Sequence, residues 1–316
     1  MKRILLAAAF LLAPITASAQ SPAPNAVPAH WYSEQVAVAG VLYKPAGVSA
    51  SAKLPGVVLA PGWGETAASL SAYATALAAQ GIVALTIDYR GWGKSAGEIY
   101  LGERLSFYDA QRFTDQTVAL AVRRGRLDPE QQVQDIRNAV TFLQSEVNVD
   151  PSLIGVLGVD IAGGHVISVM GMDARVRVGV AVTPVIAGNG VEKKSFIPDA
   201  KTQAEMIKLA RTGSVPKTSA EAKARNAQEA QIALGEYMPF WRIDAVPQTD
   251  AVRFIVAGAD EAAVNGNNAV AAAKTLKAKN DVKTIPGAKH LLNQAETKEA
   301  AGLAADWMKS NLKSGS

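Results

Sequence analysis

The stretch Ile154-Gly-Val-Leu-Gly-Val-Asp-Ile-Ala-Gly-Gly-His165 constrains this chain more than any other. Its apolar start, Ile154 to Leu157, has the composition of a parallel-sheet strand covered on both faces. Gly158 permits a sharp turn, and Gly163-Gly164 let a helix that follows at once pack closely. A strand that breaks this abruptly into a helix lifts the side chain at its apex, Asp160, out above the sheet. A buried strand followed at once by a helix fits a chain in which strands alternate with helices.

The rest of the chain has that alternation. Residues 35–43 alternate like an edge strand, and Leu54 to Ala60 is a buried strand ending in Pro61-Gly62-Trp63-Gly64-Glu65. Thr66 is placed to cap a helix running to about Gln80. Gly81 to Asp88 is the next strand, followed by the loop Tyr89-Arg-Gly-Trp-Gly93. Asp128-Pro129 starts a helix through about Ser145, with Val133, Ile136, Val140 and Leu143 on one face. After a strand at 178–182 the alternation lapses over residues 186–245, which read as a helical cap inserted over the strand ends. Strands at 252–257 and 282–285 and helices at 267–279 and 295–312 complete the domain. The expected architecture is α/β, a mostly parallel sheet of about eight strands with helices on both faces.

The chain has 316 residues, 49% of them hydrophobic and 19% charged, which suits one large domain. Lys2 and Arg3, the apolar run 4–14 and Ala17-Ser18-Ala19 have the pattern of a signal peptide cleaved after Ala19. The domain organisation expected is therefore a leader at 1–19, a Pro/Ala-rich flexible lead-in at 20–34, and the α/β domain at 35–316, in a periplasmic or secreted protein with no stable membrane insertion after cleavage. Removing the two leader cations lowers the formal charge from +4 to about +2, and the remaining basic residues are interspersed with acids rather than gathered in a stripe, which argues against a nucleic-acid partner. There is no cysteine, so thiol catalysis is excluded. Only His30, His165 and His290 are present, too few for a polyhistidine metal site, and no metal or other cofactor is expected. His30 reads as a surface residue, and His165, five positions past the apex, as a core histidine.

Several motifs resemble those of the α/β-hydrolase fold over residues 35–312, within it most nearly a dienelactone hydrolase-like and acyl-peptidase-like branch. Pro61-Gly62-Trp63-Gly64 stands where that family has its oxyanion loop, Asp88-Tyr-Arg-Gly-Trp-Gly93 matches a conserved-type loop of the fold, and Gly158 to His165 is similar to its nucleophile elbow. Phe254-Ile-Val-Ala-Gly-Ala-Asp260 resembles the strand and turn that carry the triad acid, and Pro286-Gly-Ala-Lys-His290 the loop of the triad histidine. The resemblance implies Asp160 in the nucleophile position, His290 as base and Asp260 as the acid that orients it, with Glu261 an alternative acid one register away. It also implies oxyanion donors at the backbone amides of Trp63 and Ile161.

The family's usual apex is serine, and here it is Asp160. A carboxylate needs no base to be nucleophilic and can displace a leaving group from carbon, whereas its attack on an ester would produce a high-energy anhydride. The resemblance extended to the branches with an elbow aspartate implies halide displacement or epoxide opening on a small, largely apolar substrate. The aspartyl ester would then be hydrolysed by water that His290 activates. Those branches commonly have a tryptophan directly after the aspartate, and Ile161 stands there. The alternative is a catalytically lapsed hydrolase that binds a ligand or partner in the periplasm.

Overall fold

Residues 24–101, 120–187, 199–212, 218–258 and 265–313 are described by the computed structural model, which leaves the leader at 1–19 outside the described residues. Ten strands are present among the described residues: β1 (Asn25–Ser33), β2 (Val36–Lys44), β3 (Leu54–Ala60), β4 (Val83–Ile87), β5 (Glu98–Leu101), β6 (Leu120–Arg123), β7 (Val149–Val159), β8 (Val176–Val182), β9 (Ala251–Ala257) and β10 (Lys279–Ile285). Eight of them form one sheet in the order β1-β2-β4-β3-β7-β8-β9-β10, and β5 and β6 pair separately. The pairings β1–β2 and β2–β4 are antiparallel, and every other pairing in the large sheet is parallel.

The central strands are covered on both faces, as their unbroken apolar runs require. On one face lie α2 (Pro129–Ser145), α3 (Ile161–Met172) and α6 (Asn265–Thr275), which contribute Ile136, Val166, Met170 and Ala269 to one core. On the other lie α1 (Ser71–Ala79) and α7 (Gln294–Asn311), with Tyr73, Leu77, Ala304 and Met308 in a second core. Between β8 and β9 the chain inserts α4 (Ala200–Thr212), α5 (Ser219–Glu236) and a 3-10 helix, Pro239–Ala245, where the helical insertion was expected. No described helix is long and apolar enough to cross a membrane.

Local expectations fared unevenly. The flexible lead-in assigned to 20–34 is corrected from Asn25 onward, because β1 occupies Asn25–Ser33 and pairs with β2 along its whole length. Ala29, Trp31 and Ser33 face inward at every second position, and Pro28 is tolerated because β1 is an edge strand. The helix expected to start at Asp128-Pro129 is α2, and Asp128 caps it, accepting from Gln131 N at 3.2 Å. Thr66 makes no capping bond, and the helix after it begins as a 3-10 turn, Ala67–Leu70, before α1. The Ala67 amide donates instead to Asp88 Oδ1 at 2.7 Å. Asp88 also accepts from Lys94 N at 2.8 Å, so it holds its loop through backbone amides. Arg90 is ion-paired, to Asp135 on the inner face of α2.

Candidate active site

Asp160 stands at the carboxyl edge of the sheet, between the end of β7 and the first residue of α3. Its backbone has φ 56° and ψ −124°, a region that non-glycine residues rarely occupy. Neighbouring chain holds it there: its N–H donates to Val182 O at 2.9 Å, and its carbonyl accepts from Gly163 N at 2.9 Å and Val185 N at 3.1 Å. A Cβ on Gly158 would lie 2.0 Å from Ala162 O, and one on Gly164 2.3 Å from the Tyr237 hydroxyl. The turn therefore requires glycine at both positions.

Three donors converge on the Asp160 carboxylate. Trp63 N–H donates to Oδ2 at 2.9 Å, His290 Nε2 donates to Oδ1 at 2.9 Å, and the Ile161 amide is a further backbone donor. Burial pushes the carboxyl upward, but the bonds from His290, Trp63 and Ile161 outweigh it, and Asp160 lies below the usual carboxylate range. At neutral pH it is an anion. The amides expected to form an oxyanion hole are thus turned onto the elbow residue's own side chain. Gly62 leaves room for this, since a Cβ there would come within 3.0 Å of Asp160 Cβ.

Asp160 and His290 share a cavity of about 110 Å³, walled by Trp63, Leu70, Val159, Leu291 and Leu292, with Glu65, Tyr73 and Thr183 also facing it. None of its described lining residues comes from the helical insertion, so the expectation of a pocket between insertion and strand ends is corrected at this site. The structure thus brings together Asp160, His290 and the amides of Trp63 and Ile161. Asp260 and Glu261 lie outside the described residues. Among the described residues no group of three His, Asp or Glu side chains is placed to hold a metal ion.

Sequence reasoning missed Thr183 and Tyr237. Thr183, at φ 40°, is a buried β-branched residue in the left-handed region beside Asp160. Nothing in its sequence neighbourhood marks this. Tyr237 donates to Ile161 O at 2.8 Å and meets His165 Nδ1 at 2.9 Å, while His165 Nε2 meets Gln132 Oε1 at 3.0 Å. His165 is the satisfied core histidine expected from its position.

That burial has a measurable consequence. His165 is pushed down to about 3 by burial, opposed only by the Asp160 charge. Between its unfolded value, about 6.5, and that folded value the unfolded chain binds the extra proton. Stability therefore falls as pH is lowered through this window, by about 1.4 kcal/mol per pH unit at most. Urea midpoints taken at pH 7 and pH 5 should show a loss of about 2 kcal/mol in the wild type. His165→Gln should lose markedly less over the same interval. Parallel profiles for the two proteins would show that His165 is not the group responsible.

The chain matches the Alpha/beta hydrolase family over residues 57–303. It is 36% identical over 80 residues to Thiohydrolase aneE of Aspergillus aculeatus, covering 25% of this chain and 24% of that protein. It is 27% identical over 157 residues to the Quorum-quenching protein AidA of Acinetobacter baumannii, covering 49% and 43%. These alignments span less than half of each relative. Among solved structures, DcsB in complex with its substrate analogue superposes with a TM-score of 0.67 at 17% identity, over 91% of this chain and 99% of that one. Dienelactone hydrolase from Anabaena variabilis does so with a TM-score of 0.56 at 15% identity, over 92% and 100%. At such identities the likeness is one of fold.

Proposed function

We propose that this chain, which belongs to the alpha/beta hydrolase family, is an exported hydrolase in which Asp160 is the nucleophile and His290 the base. The observation that carries the reading is the placement of the Asp160 carboxylate, an anion with one oxygen on the Trp63 amide and the other on His290. Oδ1 attacks a saturated carbon, a C–O bond forms, and the leaving group departs with the electron pair of its own bond to that carbon. In the ester so formed, Oδ2 is the carbonyl oxygen and already accepts from the Trp63 N–H. Alkylation removes the charge that held the His290 Nε2 proton, which passes to solvent; water then gives a proton to the freed Nε2 and attacks Cγ. The negative charge that develops on Oδ2 meets donors fixed in advance. Collapse returns the proton to the departing alkoxide, and the acid left on Asp160 gives its proton to His290 Nε2, which restores the starting pair.

The same placement argues against ordinary ester or thioester hydrolysis, the kind of chemistry that the name of one relative suggests. Such a reaction would require the amides to polarise a substrate carbonyl while Asp160 formed an anhydride. The cavity volume of about 110 Å³ and its Leu70, Val159, Leu291 and Leu292 walls favour a small, largely apolar substrate. Asp260 is our choice as the acid behind His290, with Glu261 the alternative. Export follows from the leader pattern. The N-terminal sequence of protein recovered from a periplasmic fraction is expected to begin at Gln20, and a cytosolic product that keeps Met1 would refute that part.

Turnover of halogenated alkanoates or epoxides that disappears in His290→Ala is the direct test. Asp160→Ser supplies a second: the smaller hydroxyl would free the Trp63 and Ile161 amides, and hydrolysis of simple chromogenic esters is expected to appear. One feature favours a second reading, a lapsed site that only binds. The carboxylate is so fully bonded that it already acts as an internal ligand of the amides. Tight binding of a small molecule with no product from any of these substrates would support that reading instead.

A further inference from the structure

A cavity of about 500 Å³ lies between the N-terminal end of α2, α3, the C-terminal half of α5 and the 3-10 helix Pro239–Ala245. It shares no described lining residue with the Asp160 cavity. Ile161 and Tyr237, packed with Leu127 and Ala230, stand in the apolar cluster between the insertion and the elbow helix. The volume falls in the range that encloses a small organic molecule.

Among the described residues, Ser168 and Glu236 of this cavity make no side-chain bond to the protein. Ser168, on α3, lines it at 5% exposure, and among the described residues its hydroxyl makes no hydrogen bond. That hydroxyl is not sealed among protein atoms but open to the cavity it lines, where a ligand can reach it. The second is Glu236, exposed at the rim where α5 ends. The other lining charges are compensated: Arg126 lies 3.0 Å from Asp128 and 3.4 Å from Glu229, and Arg242 lies 3.5 Å from Glu130. Glu236 has no ion pair among the described residues. Between rim and floor the walls are apolar and aromatic, with Val133, Ile232, Met238 and Trp241.

We propose that this cavity binds a small amphipathic organic cation, with a protonated amine at Glu236, an apolar body along the walls, and a hydroxyl that reaches Ser168. The proposal does not depend on the chemistry of Asp160.

Tyramine has this form. Phenethylamine lacks its hydroxyl, and 4-(2-hydroxyethyl)phenol lacks its charge. Titration calorimetry on the mature chain should show saturable binding of tyramine, about fivefold weaker in Glu236→Gln, with binding of the uncharged phenol unchanged in that variant. Ser168→Ala should weaken tyramine by about threefold and leave phenethylamine unaffected. Ala233→Trp, which fills the cavity from α5, should abolish binding while circular dichroism and the melting temperature confirm that the protein is folded. Asp160→Asn should bind tyramine as the wild type does, which places the ligand outside the catalytic cavity. No saturable binding of tyramine would overturn the proposal. So would equal affinity for tyramine and the uncharged phenol, indifference to Glu236→Gln or Ser168→Ala, or full binding by Ala233→Trp.

Discussion

Incubated with an excess of a reactive halogenated alkanoate, His290→Ala is expected to gain the mass of one alkyl group and keep it, while Asp160→Asn stays at its own mass. The difference follows from the order of the two steps. In the proposed mechanism Asp160 forms the ester without a base, and His290 is needed only to activate the water that cleaves it. Steady-state turnover should fall on the order of 10⁴-fold in either variant, because each removes a step that the other groups cannot perform. Intact-mass spectrometry and peptide mapping locate the adduct. An Asp160→Ala protein that turns over as fast as wild type would falsify the mechanism.

The second large effect concerns stability and lies away from the site. Asp135 is fully buried and accepts from Ser33 Oγ at 2.6 Å, Arg90 N at 2.9 Å, Arg90 Nε at 2.9 Å and Arg90 Nη2 at 2.7 Å. Replacement by alanine would leave the buried Arg90 guanidinium with only Ser33 and the more exposed Glu34. Breaking a buried pair from one side costs about 3–5 kcal/mol. Equilibrium denaturation of Asp135→Ala should therefore show a large fall in midpoint. A change below about 1 kcal/mol would mean that Glu34 and solvent suffice to accommodate the cation. Asp135 joins β1, the loop after β4 and α2, so the loss should appear as one cooperative transition rather than local fraying.

Asp135 also shows where sequence reading stops. The apolar stripe of α2 was legible, but a carboxylate among Val133, Ile136 and Ala139 has meaning only once Arg90 is known to lie opposite. The elbow was legible because glycine spacing encodes backbone geometry directly. The start of α2 at Asp128-Pro129 was legible because the signal is local in the sequence. β1 escaped because Pro28 and the alanines around it mask a period-two pattern that is nonetheless used. The turning of Trp63 N–H onto Asp160 escaped because it joins residues 97 positions apart. For the same reason the insertion could be recognised, while the cavity that it encloses could not be told from the one at Asp160.

The backbone around Asp160 carries a further consequence, for anyone who would stabilise this protein. Asp160 and Thr183 both hold φ values that glycine adopts freely, 56° and 40°, and both border the cavity with His290. Each such residue costs about 1–3 kcal/mol in the folded state. On the proposed mechanism, a selection for heat resistance alone that relieved the strain at Asp160 would also remove the nucleophile. Directed evolution of this scaffold needs a functional screen at every round, because the thermodynamic gradient at its centre points away from activity.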